Sequence, residues 1–81
     1  MQIHVTFFSH FKDLTGCATA VEELPPGSNI QALLERLCER YSGLSSARGS
    51  LLVAVDLEYQ TSQYVLHDGD EVALFPPVQG G

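Results

Sequence analysis

From Gln2 to Phe7 the chain alternates, with Ile3, Val5 and Phe7 on one side and His4 and Thr6 on the other. A period of two in β-branched and aromatic residues predicts a strand with one buried face. Ser9 to Gly16 mixes polar and apolar positions and closes on Thr15-Gly16, a turn signal. Cys17 to Leu24 predicts a second, weaker strand, its alternation diluted by Ala18 and Ala20 and stopped by Pro25-Pro26-Gly27. Next comes the clearest period in the chain. Ile30, Leu33, Leu34, Leu37, Cys38 and Tyr41 form one apolar stripe at helical spacing, with Glu35, Arg36, Glu39 and Arg40 largely outside it. Ser28-Asn29-Ile30-Gln31 has the form of a capping box that would open this helix, and Gly43 would close it.

Leu44 to Ser50 reads as a loop, and Leu51 to Val55 as a short apolar run suited to a central strand covered on both faces. Asp56 to Gln63 is a hydrophilic crossing with room for a short strand or turn. Asp68-Gly69-Asp70 is a turn signal leading into a last strand, Glu71 to Phe75. This order predicts an α+β fold: a mixed sheet with one principal helix packed on one face, and the first and last strands side by side. Residues 1–75 form the domain, and 76–81 an extended tail, Pro76-Pro77-Val78-Gln79-Gly80-Gly81.

Length restricts where chemistry can sit. With 81 residues there is one domain, which buries only about 60% of the surface of its unfolded chain. The 44% hydrophobic content supplies a core but leaves no space for a deep internal active site. Net charge is −6, and Lys12, Arg36, Arg40 and Arg48 are the only lysines and arginines. That balance argues against nucleic acid and anionic membranes and makes a basic protein groove the natural complement. Cys17 and Cys38 form no CxxC pair, and His4, His10 and His67 do not complete a zinc set, so no metal is expected. With no signal-peptide pattern and no long apolar span, a cytoplasmic protein with free thiols is expected.

The tail is the chemically distinctive segment. Gly80-Gly81 lack side chains and can enter a channel too narrow for other residues. Pro76-Pro77 stiffen the approach and cannot continue a sheet ladder. Pro76 to Gly81 reaches at most about 20 Å when extended. The terminal carboxylate, with a pKa of about 3.3–3.7, is ionised and a poor electrophile, so another protein has to activate it, most simply as an acyl-adenylate.

The segment Asp68 to Gly81 resembles the DGDEVA-x-x-PPV-x-GG ending of the small subunit (MoaD) family of molybdopterin synthase, within the MoaD/ThiS superfamily. Phe8 to Gly16 is similar to that family's FA-x-x-RE-x-TG segment, and Leu52 to Asp56 to its VAVN strand, with Asp56 where the family usually has asparagine. The resemblance implies a ubiquitin-like β-grasp fold and a sulfur carrier. Gly81 would hold an acyl-adenylate and then a thiocarboxylate, Gly80 would thread the channel, and Gln79, Val78, Pro77 and Pro76 would lie along it. The implied partners are a MoeB-like adenylating enzyme, which uses ATP and magnesium, and a MoaE-like large subunit. This chain would bind no cofactor and would not be an enzyme by itself. Other sulfur acceptors (thiamine thiazole, a tRNA base, a cysteine precursor) and a ubiquitin-like modifier are the alternatives.

The remaining reactive side chains have plainer readings. No nucleophile–base set forms around His4 or His67, and Cys38 falls on the apolar stripe. Cys17 follows a turn glycine, where a reactive thiol could be exposed. Glu22-Glu23 and Asp68/Asp70 suit solvation and turn formation. Phe8 and Phe75 alternate away from their buried neighbours, and with Phe11, Leu57 and Tyr59 are candidates for an apolar patch. Phe8 and Phe75 are expected to dock partners beside the tail.

Overall fold

In the computed structural model, which describes residues 1–77, the N-terminal alternation becomes β1 (Gln2–Phe7), with Ile3, Val5 and Phe7 buried. A short helix α1 (Phe11–Thr15), β2 (Thr19–Glu23), the long helix α2 (Ile30–Arg40) and a 3-10 helix (Ser42–Ala47) follow. β3 (Leu52–Val55), β4 (Glu58–Tyr59) and β5 (Glu71–Phe75) complete the chain. The sheet order is β2-β1-β5-β3-β4. β1 and β5 pair in parallel at its centre, with Val5 opposite Val72 and Phe7 opposite Leu74, and every other pairing is antiparallel. First and last strands are adjacent, as expected, and both run toward the same end of the sheet.

The stripe of α2 closes the core. Ile30, Leu33, Leu34 and Leu37 pack with Ile3, Val5, Phe7, Val53, Val55, Val72 and Leu74. Burying each such side chain is worth about 1.5–3 kcal/mol, so the helix is held by its inner face. Cys38 and Tyr41, at the end of the stripe, are only half-buried.

Both ends of α2 differ from the sequence reading. Asn29, not Ser28, is the N-cap: its side-chain oxygen accepts from the Ala32 N–H at 3.0 Å. The reason is a bridge between Asn29 and Val65, in which Ile30 N–H donates to the Tyr64 carbonyl and Leu66 N–H to the Ser28 carbonyl. That bridge keeps the backbone extended through Asn29, and the Ser28 hydroxyl turns back to donate to the Pro25 carbonyl at 2.7 Å. At the other end the helix stops at Arg40, and Tyr41 leaves the helical region with its ring edge-on to Phe7 at 5.7 Å. Gly43 is not the cap. It lies in the 3-10 helix, where a Cβ would come within 3.1 Å of the Leu14 carbonyl oxygen, so it permits a close approach of backbones.

Two other segments carry more structure than their composition suggested. Ser9 to Gly16 contains α1, which buries only Phe11 and is too short to show a helical period; its left-handed C-cap is Gly16. The expected loop after α2 forms the 3-10 helix and buries Leu44. β3 is an interior strand, as expected, but its outer neighbour β4 is a two-residue strand. No helix among the described residues is long and apolar enough to cross a membrane.

Replacing Asn29 with alanine is expected to cost about 1 kcal/mol, a fall of roughly 4–8 °C in Tm for a domain of this size. Ser28→Ala should cost clearly less. Equal losses in thermal melts would show that both hydroxyl and amide cap the helix.

Candidate functional site

Because β1 and β5 run parallel in register, they finish together, and Phe8 N–H donates to the Leu74 carbonyl at 3.1 Å. Phe7 and Leu74 point into the core, so the next residue on each strand, Phe8 and Phe75, points to the opposite face. Their rings stack with centroids 4.9 Å apart and planes 16° from parallel. Tyr59 of β4 meets Phe75 edge-on at 6.1 Å. A groove of about 410 Å³ runs across this face, with Thr6, Ala54, Leu57 and Ala73 beside the three aromatic rings. Phe8 is 42% exposed, Tyr59 68% and Leu57 99%. The helix covers the other side of the sheet, and among the described residues no element covers this face.

Leu57 shows what this surface costs the fold. It forms, with Asp56, the turn between β3 and β4, and both residues have positive φ, 49° for Asp56 and 73° for Leu57. Such a conformation costs a non-glycine residue about 1–2 kcal/mol, and a fully exposed leucine recovers nothing by burial. Asp56 suits the turn better, because short polar side chains tolerate this region. Its N–H donates to the Glu71 carbonyl at 3.0 Å, and the Glu71 N–H reaches its carboxylate at 3.5 Å. The polar turn contact is therefore kept with aspartate in the asparagine position.

Directly after Phe75 come Pro76 and Pro77, both half-buried, where β5 ends. Proline has no N–H to continue the ladder. The two prolines thus end the ladder at the close of an interior strand. The expectations for Val78, Gln79, Gly80 and Gly81 lie outside the described residues.

Asp56, Glu58, Asp68, Asp70 and Glu71 gather at the end of the sheet where β5 begins. Elsewhere the charges are mixed: Lys12 shares α1 with Asp13, Arg48 lies 3.7 Å from Glu35, and Arg40 pairs with Glu22.

The other polar candidates have structural work. Asp68 accepts from Gln2 N–H at 2.7 Å, and Asp70, nearly buried, accepts from His67 N–H at 2.8 Å. Glu22 is buried beneath Arg40, whose guanidinium it pairs with. His4 and His67 are exposed and serve no nucleophile. Burial pushes the Cys38 thiol up, with the nearby charge of Arg48 acting weakly the other way, so it stays protonated at neutral pH. Cys17 is half-buried rather than exposed, its Sγ 3.7 Å from Thr15 Oγ1 and 3.8 Å from the Tyr41 hydroxyl. Burial, then the hydrogen bond with Cys17, pushes the Tyr41 phenol up. Among the described residues no group of three or more His, Cys, Asp or Glu could hold a metal ion. Sequence reasoning named Leu57 and Tyr59 as apolar residues of interest; only the fold shows that they share a face with Phe8 and Phe75.

Phe8→Ser is expected to leave Tm nearly unchanged and to weaken partner binding; a large fall in Tm would place the ring in the core. Leu57→Asn should raise stability by about 0.5–1 kcal/mol, since asparagine tolerates positive φ. A thermal melt lower than that of the native protein would show that Leu57 contributes to the fold.

Residues 5–81 match the model of the ThiS family. The molybdopterin synthase sulfur carrier subunit of Chlamydomonas reinhardtii is 34% identical over 83 residues, covering 100% of both chains. Among solved structures, a putative molybdopterin converting factor, subunit 1, from Pyrococcus furiosus superposes with a TM-score of 0.89 at 28% identity, over 96% of this chain and 99% of that one. A likeness of fold alone, with a TM-score of 0.71 and 23% identity, extends to the protein–protein complex of subunits 1 and 2 of the molybdopterin-converting factor from Helicobacter pylori, over 100% of both chains. The five-stranded mixed sheet with α2 across one face is a ubiquitin-like β-grasp. The chain belongs to the ThiS family and stands within it beside proteins named molybdopterin synthase sulfur carrier subunit.

Proposed function

We propose that this chain carries sulfur on its terminal glycine for molybdopterin synthesis, as the small subunit of the synthase. What carries the reading is the end-to-end likeness to the Chlamydomonas carrier together with the sequence Pro76-Pro77-Val78-Gln79-Gly80-Gly81. The chemistry follows from the carboxylate. A Gly81 carboxylate oxygen attacks the α-phosphorus of ATP in an activating enzyme, pyrophosphate leaves, and an acyl-adenylate remains. Magnesium in that enzyme offsets the charge of the phosphates. Sulfide (HS⁻) then displaces AMP to leave a thiocarboxylate. Its sulfur attacks the pterin precursor and displaces an oxygen substituent, and water cleaves the acyl–sulfur bond, leaving the sulfur on the pterin and returning the carboxylate.

This chain's own part is presentation. Pro76 and Pro77 hold the arm clear of the sheet, Val78 and Gln79 extend it, and Gly80 passes the constriction. The Phe8/Phe75 face, with Tyr59 and Leu57, docks the large subunit and the activating enzyme. Aromatic anchors in an apolar patch are the residue types that dominate binding energy at interfaces. The chain is not an enzyme by itself and binds no cofactor; ATP and magnesium belong to the activating partner. The half-buried free thiols suit the reducing cytoplasm.

The test is the intact mass after incubation with MgATP, a molybdopterin-pathway adenylating enzyme and sulfide, with a Gly81 deletion alongside. Exchange of one oxygen for sulfur is expected in the full chain and not in the deletion. An unchanged mass, while a known carrier in the same mixture is converted, would remove the carrier reading and favour a ubiquitin-like modifier or a non-covalent binding module.

A further inference from the structure

The Phe8/Phe75 face flanks only one side of the arm's root. Ser9, at φ 57°, reverses the chain after Phe8 and starts α1 on the other side. There a second cleft, of about 430 Å³, is lined by His10, Phe11, Ala47, Ser50, Pro76 and Pro77. Its base is apolar: Phe11 is buried and Ala47 half-buried. Its rim is polar, with exposed His10 and Ser50, and the His10 ring stands edge-on to Phe11 at 5.0 Å. The same two prolines that leave the aromatic face thus form a wall of this cleft.

We propose that the cleft is a second contact for the protein that receives the arm. A segment at the mouth of that protein's channel lays an apolar side chain over Phe11 and Ala47 and offers an acceptor oxygen to the His10 imidazole. The inference rests on the docking face proposed above and extends it. A channel that admits the arm beyond Pro77 must close around Pro76-Pro77. One flank of those prolines is the Phe8/Phe75 face, and the other is this cleft. The two are continuous through Phe8-Ser9-His10 and Phe75-Pro76, so a single mouth spans both. The rim itself favours an acceptor here. His10 stands on it with its imidazole exposed, and the Asp68/Asp70/Glu71 cluster lies at the other end of the sheet. An imidazole N–H is a donor in every protonation state.

The experiment is calorimetric titration of the full-length chain with the large synthase subunit of the same organism. His10→Glu, which reverses the polarity of the rim, and Ser50→Tyr, which fills the cleft, are each expected to weaken binding by about tenfold or more, the scale of a lost hot-spot contact. His10→Gln, which keeps a donor, should stay near the wild-type affinity. Both positions, His10 and Ser50, are exposed, so melting temperatures should not move. Affinities of His10→Glu and Ser50→Tyr equal to wild type, with Phe75→Ser weakened, would overturn this inference and leave the docking face standing. No binding by the wild-type chain, or an unweakened Phe75→Ser, would instead overturn the docking-face reading and this one with it. A dimer of the free chain in sedimentation, dissolved by His10→Glu, would show that a second copy fills the cleft and would also overturn the proposal.

Discussion

The parallel pairing of β1 with β5 is the contact on which the other features depend. It joins residues far apart in sequence, so it cannot form until the chain between them has folded back. Once formed, it fixes three things together. It supplies the middle of the core through Val5, Phe7, Val72 and Leu74. It brings Phe8 and Phe75 to the same edge, in stacking contact. It also places Pro76 and Pro77 at the end of an interior strand, after the Phe8/Phe75 pair and against the cleft beside Phe11 and Ala47. A one-residue slip of β5 in that register would turn Phe75 inward, put Leu74 outside and undo the stacking with Phe8. The core and the aromatic face are therefore specified by the same alignment.

Where the sequence was legible, a repeating period made it so. The alternation of Ile3, Val5 and Phe7 and the stripe from Ile30 to Leu37 each repeat a burial pattern often enough to be read without knowledge of the rest. The misreadings came where one long-range contact overrides a local preference. Ser28-x-x-Gln31 is a sound local cap, but the bridge from Asn29 to Val65 moves the helix start by one residue. Gly43 sits where a helix-ending glycine is expected, yet it answers to the backbone of Leu14, which no local window contains. α1 escaped notice because a five-residue helix with one buried side chain has no period.

The candidate site divides in the same way. Phe8 and Phe75 were readable as surplus to their strands because alternation placed them on the wrong face for the core. Tyr59 and Leu57 were visible as exposed-type apolar residues, but their place beside that pair depends on the tight turn at Asp56-Leu57 and on β4 folding back against β3. His10 carried no signal at all, since its interest comes from the 3-10 helix and the prolines that stand around it. The acidic cluster at the start of β5 was equally hidden: a net charge of −6 says nothing about where the carboxylates gather.

The position of β5 also has a mechanical meaning. In the proposed function a narrow channel that grips the tail has to release it again, and withdrawal would load β5 along its own axis. Both of its flanking ladders, to β1 and to β3, lie across that pull, so all their hydrogen bonds are strained together rather than opened one at a time from an edge. A tail continuing β2 or β4 would load a single ladder under the same tension. Continuing β5, it would share the load between two, so that in the proposed cycle the domain stays folded as the tail is withdrawn.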